Sequence, residues 1–273
     1  MNAAEFADAQ GTVHPRVGPD ARIACLVPSI TELICDLGLA QQLVARTGFC
    51  IHPRELVQAI PKVGGTKDVD LDRLRALKPT HVVVNIDENL KDTAAALAAF
   101  VPHVIVTHPK APEDNLALYR LIGGIFNREQ AAEDLCARLQ AALAAARAAA
   151  GKSPLEHVLY LIWKGPWMTV SPDTYISRTL QVVGWETQPR ESATRYPAVD
   201  LAAAAQGADL VLLSTEPYMF REAHVAELKA LLPGRRVALI DGEMSSWYGS
   251  RAIAGLAYLP RLRAACDAGK LAA

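Results

Sequence analysis

The chain has 273 residues, 51% of them hydrophobic, and its 28 basic and 29 acidic side chains leave a formal net charge of −1. Two lobes with substantial cores fit this length, whereas the balanced charge without a basic run argues against nucleic acid or an anionic membrane as a partner. The five cysteines are odd in number and form no C-x-x-C pair, which argues against a disulfide framework or a zinc cluster.

The first half alternates strand and helix patterns after a polar leader that extends to about Asp20. A buried strand is predicted over 22–28, and Ser29 with Glu32 forms an S-x-x-E capping box that predicts the start of the next helix. Further elements are predicted at 43–47 (strand), 70–79 (helix), 80–85 (strand), 94–100 (helix), 101–107 (strand) and 113–126 (helix). Such alternation indicates a mostly parallel sheet covered by helices.

One uninterrupted helix is predicted over 128–150, preceded by Asn127 in a left-handed conformation. Alanine and leucine favour helix, and Leu135, Leu139 and Leu143 recur at i+4 to form one apolar stripe. At about 1.5 Å per residue, this helix would span roughly 34 Å. It is either a rigid spacer between two lobes or an ordinary packing helix of a single domain.

The second half repeats the strand and helix pattern, with loops predicted at 164–173, 185–197 and 242–250. We therefore expect an N-terminal α/β lobe over 21–127, a bridging helix over 128–150 and a C-terminal α/β lobe over 151–273. A mostly parallel sheet is expected in each lobe.

Ligands of parallel sheets bind at the carboxyl ends of the strands, and here the predicted loops at those ends carry aromatic and polar side chains. Aromatic side chains offer large flat faces at low entropic cost, which favours a large planar ligand. The candidate contacts are Phe49, His52, Glu88, Asn89, Trp163, Trp167, Tyr218, Trp247, Tyr248 and Arg251.

Several candidates have a structural alternative. Trp163 ends an apolar strand and is as compatible with a core position as with a ligand contact. The run 87–89 could cap the following helix, and Glu216 could be a solvated loop carboxylate.

Signatures of catalysis and of metal binding are absent from the sequence. The segment 62–68, with sequence KVGGTKD, lacks the residue order of a phosphate-binding loop, and no G-x-S-x-G or G-x-G-x-x-G motif occurs. The histidines have no metal-ligand spacing. We expect neither an enzyme nor a catalytic cofactor nor a metal site.

Four segments, RIACLVPSITELICDLG, GFCIHP, VGGTKDVDLDRLRALKPTHVVVN and SSWYGSR, resemble the cobalamin and iron-siderophore substrate-binding proteins of ABC importers, also called class III periplasmic binding proteins or helical-backbone metal receptors. The resemblance extends from about Arg22 to Ala265 and is closest to the cobalamin-binding branch. It implies two Rossmann-like α/β lobes joined by one long rigid helix, with the ligand in a cleft between the lobes.

The resemblance also implies roles for individual residues. Phe49 matches the first-lobe aromatic that stacks on the ligand, and Trp247 matches a tryptophan near the start of the last helix. Thr66 and Lys67 stand where the cobalamin binder has a tryptophan. Asp72 matches an acidic residue that docks on the membrane transporter, whereas the segment 247–251 has no acid at the second docking position.

From these patterns we expect a non-catalytic, monomeric binding protein for a corrinoid, with cobalamin as the bound ligand and an ABC transporter permease as a partner. An iron-siderophore, haem or direct metal-ion receptor of the same fold is one alternative, and in the metal case His52, Glu88 and Glu216 would contact the ion. A cytosolic corrinoid chaperone or enzyme is another. As written, the N-terminus lacks a signal peptide and predicts a cytoplasmic protein; a longer native leader would make it periplasmic.

Overall fold

The structure, a computed structural model, describes residues 6–151 and 153–269. It divides into two compact units. Of the described residues, unit 1 contains 6–109, 113–138 and 248–250, and unit 2 contains 110–112, 139–151, 153–247 and 251–269. The division passes through the long helix between Arg138 and Leu139. The predicted lobe boundaries and the bridging role of this helix stay predictions.

Unit 1 is built on a parallel four-stranded sheet with the strand order β4-β3-β5-β6. The strands of unit 1 are β1 (Phe6–Ala7), β2 (Val13–His14), β3 (Ile23–Cys25), β4 (Leu43–Arg46), β5 (His81–Asn85) and β6 (His103–Thr107), of which β1 and β2 form a separate hairpin. Its helices are α1 (Pro28–Asp36), α2 (Arg54–Val57), α3 (Leu71–Ala76), α4 (Lys91–Ala98) and α5 (Asn115–Ile125). Strand β5 is buried throughout, as its run of valines predicts for a central parallel strand.

The long helix α6 (Glu129–Ala150) begins one residue after the predicted start and ends at the predicted residue. Leu135, Leu139 and Leu143 are buried along it, which confirms the predicted apolar stripe. Asn127 precedes α6 with φ of 55°, as predicted.

Unit 2 contains a second sheet, in which β11, β10, β7 and β9 run parallel and β8 pairs antiparallel with β7. Its strands are β7 (Glu156–Trp163), β8 (Met168–Thr169), β9 (Trp185–Thr187), β10 (Leu210–Ser214) and β11 (Arg236–Ile240). Its helices are α7 (Tyr175–Gln181), α8 (Leu201–Gln206), α9 (Glu222–Leu231), α10 (Gly242–Ser246) and α11 (Arg251–Asp267). Apolar clusters cover this sheet. The predicted α/β class with mostly parallel sheets is therefore confirmed.

The predicted capping box of α1 is wrong. The helix begins at Pro28 with Val27 as its N-cap, and no side chain caps it. Proline fits the first turn because its fixed φ is helical and its missing N–H would have no partner there. Ser29 thus lies inside the first turn, where it is buried.

Other differences concern segments predicted as irregular. The polar leader contains the hairpin β1–β2, which Asp8 organises by accepting hydrogen bonds from the amides of Gln10 and Thr12 at 2.9 Å. The predicted loops of the second half contain β8, β9 and α10, because pairing with β7 stabilises strands too short to show a periodic pattern. The predicted absence of a signal peptide depends partly on residues 1–5, which lie outside the described residues.

Candidate ligand-binding surfaces

The unit 1 surface consists of the loops that follow β4 and β5, the loop 64–70, and the segment 248–250. Phe49 is 62% exposed at the tip of the first loop. A Cβ built on Gly65 would lie 3.3 Å from Cε2 of Phe49, so the ring edge approaches this glycine closely. Thr66, in the same loop as Gly65, is half-buried and Lys67 is exposed, and His52 is half-buried.

Asn89 ties the loops of the unit 1 surface together. Its Oδ1 accepts a hydrogen bond from the amide of Asn85 at 2.8 Å, and its Nδ2 donates to the carbonyls of Thr66 at 2.8 Å and Leu26 at 3.3 Å. The amide is 9% exposed. Its ligand role stays a prediction, and its observed contacts are structural.

The run 87–89 does not cap α4, because the N-cap is Leu90 and no side chain caps this helix. Instead, Oδ1 of Asp87 lies 3.6 Å from Nε2 of His108, and Glu88 accepts a hydrogen bond from the phenol of Tyr248. Burial, together with the nearby Glu88 carboxylate, raises the pKa of Tyr248 well above its usual range. Sequence analysis did not select His108, although it follows β6 directly.

Residues 248–250 are anchored in unit 1 by helix α5, which precedes them by more than a hundred positions. The amide of Gly249 donates to Oδ1 of Asn115 at 2.6 Å, and the phenol of Tyr119 donates to the carbonyl of Gly249 at 2.9 Å. Gly249 has φ of 76°, and a Cβ there would lie 2.9 Å from the carbonyl oxygen of Ser29. Only glycine fits this turn without strain.

The unit 2 surface contains an aromatic cluster at the ends of β7 and β10. Trp163 and Phe220 lie 5.5 Å and 4.6 Å from the ring centre of Tyr218, and Trp167 stacks on Phe220 at 6.1 Å. Trp163 is 40% exposed and Met219 is 61% exposed. Trp163 is therefore not a core residue, and its structural alternative is wrong.

The second part of the unit 2 surface is the group around Glu216, whose Oε1 accepts hydrogen bonds from the indole of Trp247 at 2.6 Å and the hydroxyl of Ser246 at 2.8 Å. Burial raises the pKa of this carboxyl group, and Glu243 and Asp241 add to the shift. Glu216 is thus a half-buried hydrogen-bond acceptor and not a solvated loop carboxylate.

Two cations of the unit 2 surface pair with glutamates. Arg251 lies over the ring of Trp247 at 4.8 Å and donates to Glu243 at 2.8 Å. Lys164 donates to Glu227 at 2.6 Å. A ligand carboxylate would have to compete with these glutamates for both cations.

The remaining predicted site residue, Asp72, is separate from these loops. It lies in the first turn of α3, and its side chain is 96% exposed. Among the described residues, no set of three or more histidine, cysteine, aspartate or glutamate side chains is arranged to hold a metal ion. Within the same part of the chain, no helix is long and apolar enough to cross a membrane.

Comparison with known proteins identifies relatives over most of the chain. Residues 23–226 match the sequence profile of a family described as "Periplasmic binding protein". A vitamin B12-binding protein from Pectobacterium atrosepticum is 24% identical over 183 residues, which span 65% of this chain and 65% of that relative.

Solved structures share this architecture at low sequence identity. The periplasmic vitamin B12 binding protein of Vibrio cholerae has a TM-score of 0.77 and 17% identity, and the match covers 91% of this chain and 98% of that chain. A periplasmic heme binding protein from Pseudomonas aeruginosa has a TM-score of 0.76 and 22% identity, covering 88% and 91% of the respective chains. At such identities these similarities establish the fold and leave the ligand open.

Proposed function

Because this chain belongs to the periplasmic binding protein family, we propose that it is a non-catalytic binding protein for a corrinoid such as cobalamin. The supporting observation is the exposed ring of Phe49 on a loop held by internal hydrogen bonds. Water-exposed apolar surface is unfavourable for folding, so a flat apolar face held in place favours a large planar ligand.

The apolar surface extends beyond this ring. Three aliphatic side chains of the unit 1 loops are also exposed: Ile51 by 50%, Ile86 by 46% and Leu90 by 47%. In unit 2, Trp163 and Met219 are the exposed apolar side chains at the strand ends. We propose that the ligand binds on these surfaces; the cleft between the lobes that the family resemblance implies stays a prediction.

The charges of the two surfaces favour an amide-bearing ligand periphery over a polycarboxylate one. Glu88 and Glu216 are hydrogen-bond acceptors, while Lys164 and Arg251 already pair with glutamates. The side-chain amides of a corrin ring can donate to carboxylates, whereas the carboxylates of haem or of an anionic siderophore would be repelled by them. Lys67 is the exposed cation of the unit 1 surface.

Haem is the second candidate ligand, for one observation in unit 2. The phenol oxygen of Tyr218 lies 3.5 Å from Nε2 of His224, at the end of the aromatic cluster. Tyrosine and histidine are both used as axial ligands of haem iron. A corrinoid that is held by stacking on aromatic rings does not require an axial ligand from the protein.

Titration of the purified protein with cyanocobalamin, followed by visible absorbance and equilibrium dialysis, tests the proposal. We expect binding in the micromolar range or tighter, and at least tenfold weaker binding by Phe49→Ala. Leu231→Ala is the matched control, because Leu231 is 56% exposed at the end of α9. Haemin and a ferric siderophore form parallel arms. Lack of cyanocobalamin binding at tens of micromolar, with binding of either parallel ligand, would refute the corrinoid assignment.

Delivery to an ABC importer is a separate part of the proposal and is supported by the exposure of Asp72. Asp72→Arg should leave the affinity for the ligand unchanged and abolish uptake in cells whose growth depends on it. Fractionation of cells and determination of the native N-terminus would distinguish this role from that of a cytosolic corrinoid carrier.

A further inference from the structure

Arg46 ends strand β4 directly beneath the loop that carries Phe49, and it is 4% exposed. Its Nε donates a hydrogen bond to the carbonyl of Val57 at 2.7 Å, and its Nη1 donates to the carbonyls of Thr47 at 3.1 Å and Cys50 at 3.0 Å. One side chain therefore connects the start, the tip region and the end of the segment 47–57.

The charge of Arg46 has no acidic partner within residues 6–151 and 153–269: no carboxylate lies within 4.0 Å of its nitrogens. Backbone carbonyls alone stabilise the buried guanidinium. Burial of a charge without a counter-ion is costly, and the neighbouring strand residues Leu43 and Ala45 are apolar. Core packing by itself does not require an arginine at this position.

Further hydrogen bonds hold the same turn. The hydroxyl of Thr31 donates to Sγ of Cys50 at 3.1 Å, and Oγ1 of Thr47 lies 3.2 Å from the same sulfur. The amide of Gly48 donates to the carbonyl of Gly64 at 2.8 Å. Both neighbours of Phe49 are thus fixed, although the ring itself is mostly in water.

This combination of a buried charge, a fixed turn and an exposed ring at its tip is not explained by core packing alone. It is useful if the ring must be in place before a ligand arrives, because a loop that is already ordered loses less entropy on binding. We propose that Arg46 is a positioning residue that holds Phe49 ready to stack on the ligand. This inference rests on the proposed function only in requiring a ligand with a flat apolar face.

A double-mutant cycle with cyanocobalamin tests the inference. Arg46→Gln and Phe49→Ala should each weaken binding by tenfold or more, and the double variant should bind about as weakly as Phe49→Ala alone, because Arg46 acts through the ring. Arg46→Lys should lose less, since an ammonium group can still donate to some of the carbonyls. Losses that multiply in the double variant would overturn the proposal.

A measurement without ligand separates this inference from the function. Hydrogen–deuterium exchange of residues 47–52 should become at least tenfold faster in Arg46→Gln, while exchange in β5 stays unchanged. Arg235→Gln is the matched control, because Arg235 of unit 2 also donates to backbone carbonyls, those of Ala208 at 2.9 Å and Gln206 at 3.3 Å. It should leave exchange at 47–52 and ligand affinity as they are in the parent protein.

The outcomes can be told apart. If the parent protein binds haemin or a siderophore and not cyanocobalamin, the corrinoid assignment fails, and the same cycle run with that ligand judges Arg46. If Arg46→Gln does not fold, Arg46→Lys provides the exchange measurement. Unchanged exchange at 47–52 in a folded Arg46 variant would overturn the positioning role whatever the ligand is.

Discussion

Each unit buries an arginine, and the two arginines have different partners. In unit 1, Arg46 donates to backbone carbonyls and, among the residues that the structure describes, to no carboxylate. In unit 2, Arg263 donates to Asp267 at 2.9 Å and lies 3.5 Å from Glu156, while its Nη2 donates to the carbonyl of Pro154 at 2.7 Å. The two arginines are buried to a similar degree, and they differ in their partners, which are backbone carbonyls for Arg46 and include two carboxylates for Arg263.

The contrast extends to the surfaces at the strand ends. Unit 1 presents the isolated ring of Phe49, fixed from below by polar contacts. Unit 2 presents rings that fix one another, as Trp167 and Tyr218 do by packing on Phe220. Aromatic packing therefore orders part of the unit 2 surface, whereas hydrogen bonds from the buried Arg46 order the turn below Phe49 in unit 1.

The largest expected effect comes from removing the unit 2 arginine. Glu156 is 5% exposed, and its carboxylate faces both Arg263 and Arg236. Arg263→Met removes the first of these two cations. Removing one partner of a buried ion pair destabilises a protein by about 3–5 kcal/mol when the other charge is left uncompensated, and we expect about 3 kcal/mol here because Arg236 still faces Glu156. Arg46→Met should lower the free energy of unfolding by less, about 1–3 kcal/mol. It leaves backbone carbonyls without their hydrogen-bond donor but leaves no charged group without a partner.

Urea unfolding can resolve these two losses. All four tryptophans, at positions 163, 167, 185 and 247, belong to unit 2. Indole fluorescence therefore reports unit 2, and far-ultraviolet circular dichroism reports both units. Arg263→Met should shift the fluorescence transition, and Arg46→Met should shift the dichroism transition alone. Equal losses in both variants would remove the contrast between the arginines.

A second difference concerns pH. In unit 1, His81 is 2% exposed and stacks on His103 at 4.6 Å, and His14 lies edge-on to His103 at 6.3 Å. Burial, with His103 and His14 nearby, lowers the pKa of His81 to about 4. The charged side chain facing this group is Asp8, 3.2 Å from Nε2 of His14.

The sign of the effect follows from where protons bind. The unfolded chain takes up a proton on His81 near its ordinary pKa of about 6.5, and the folded chain does so only near 4, so stability falls as the pH drops from 6.5 to 4. The loss is about 3 kcal/mol. Glu216 in unit 2 changes stability in the opposite direction. Its pKa is raised in the folded chain, so the folded chain binds the proton more readily and gains stability from this group as the pH falls.

Acid titration of unfolding by dichroism and fluorescence measures both trends. His81→Phe keeps a ring against Phe126 and should flatten the acid loss of unit 1. His157→Phe, in unit 2 at the start of β7, is the matched control and should leave it unchanged. An acid loss that is as large in His81→Phe as in the parent protein would assign the effect to other groups.

These contrasts also show which features a sequence can predict. Periodic elements such as β5 and α6, and the left-handed Asn127, were predictable because local patterns determine them. The hydrogen bond between Glu88 and Tyr248 joins residues 160 positions apart, and no spacing rule connects them. The arginine in the apolar strand pattern 43–46 was a visible signal, but its carbonyl partners depend on how the following loop folds.

The hairpin β1–β2 and the false capping box have related causes. Strands of two residues carry no period, so β1 and β2 depend on the carboxylate of Asp8, which also accepts from the amide of Val106 at 2.9 Å. In α1, the S-x-x-E pattern predicts a helix that begins after Ser29, but the helix begins at Pro28, because the ring of proline fixes a φ that suits the first helical turn. Short-range rules fail where tertiary contacts or a stiffer neighbour decide.

The smallest expected effect compares one ring from each surface. Phe49→Ala should change the free energy of unfolding by less than about 0.5 kcal/mol, because the ring is 62% exposed and few contacts are lost. Trp167→Ala should cost about 1–2 kcal/mol, because its indole stacks on Phe220 and carries Lys164 over its face at 5.6 Å. Thermal unfolding of both variants, beside their ligand affinities, separates the two roles: Phe49 should affect binding without stability, and Trp167 should affect both. A Phe49→Ala variant that loses as much stability as Trp167→Ala would mean that the exposed ring supports the unit 1 fold, and the case for a ring held ready for a ligand would then be lost.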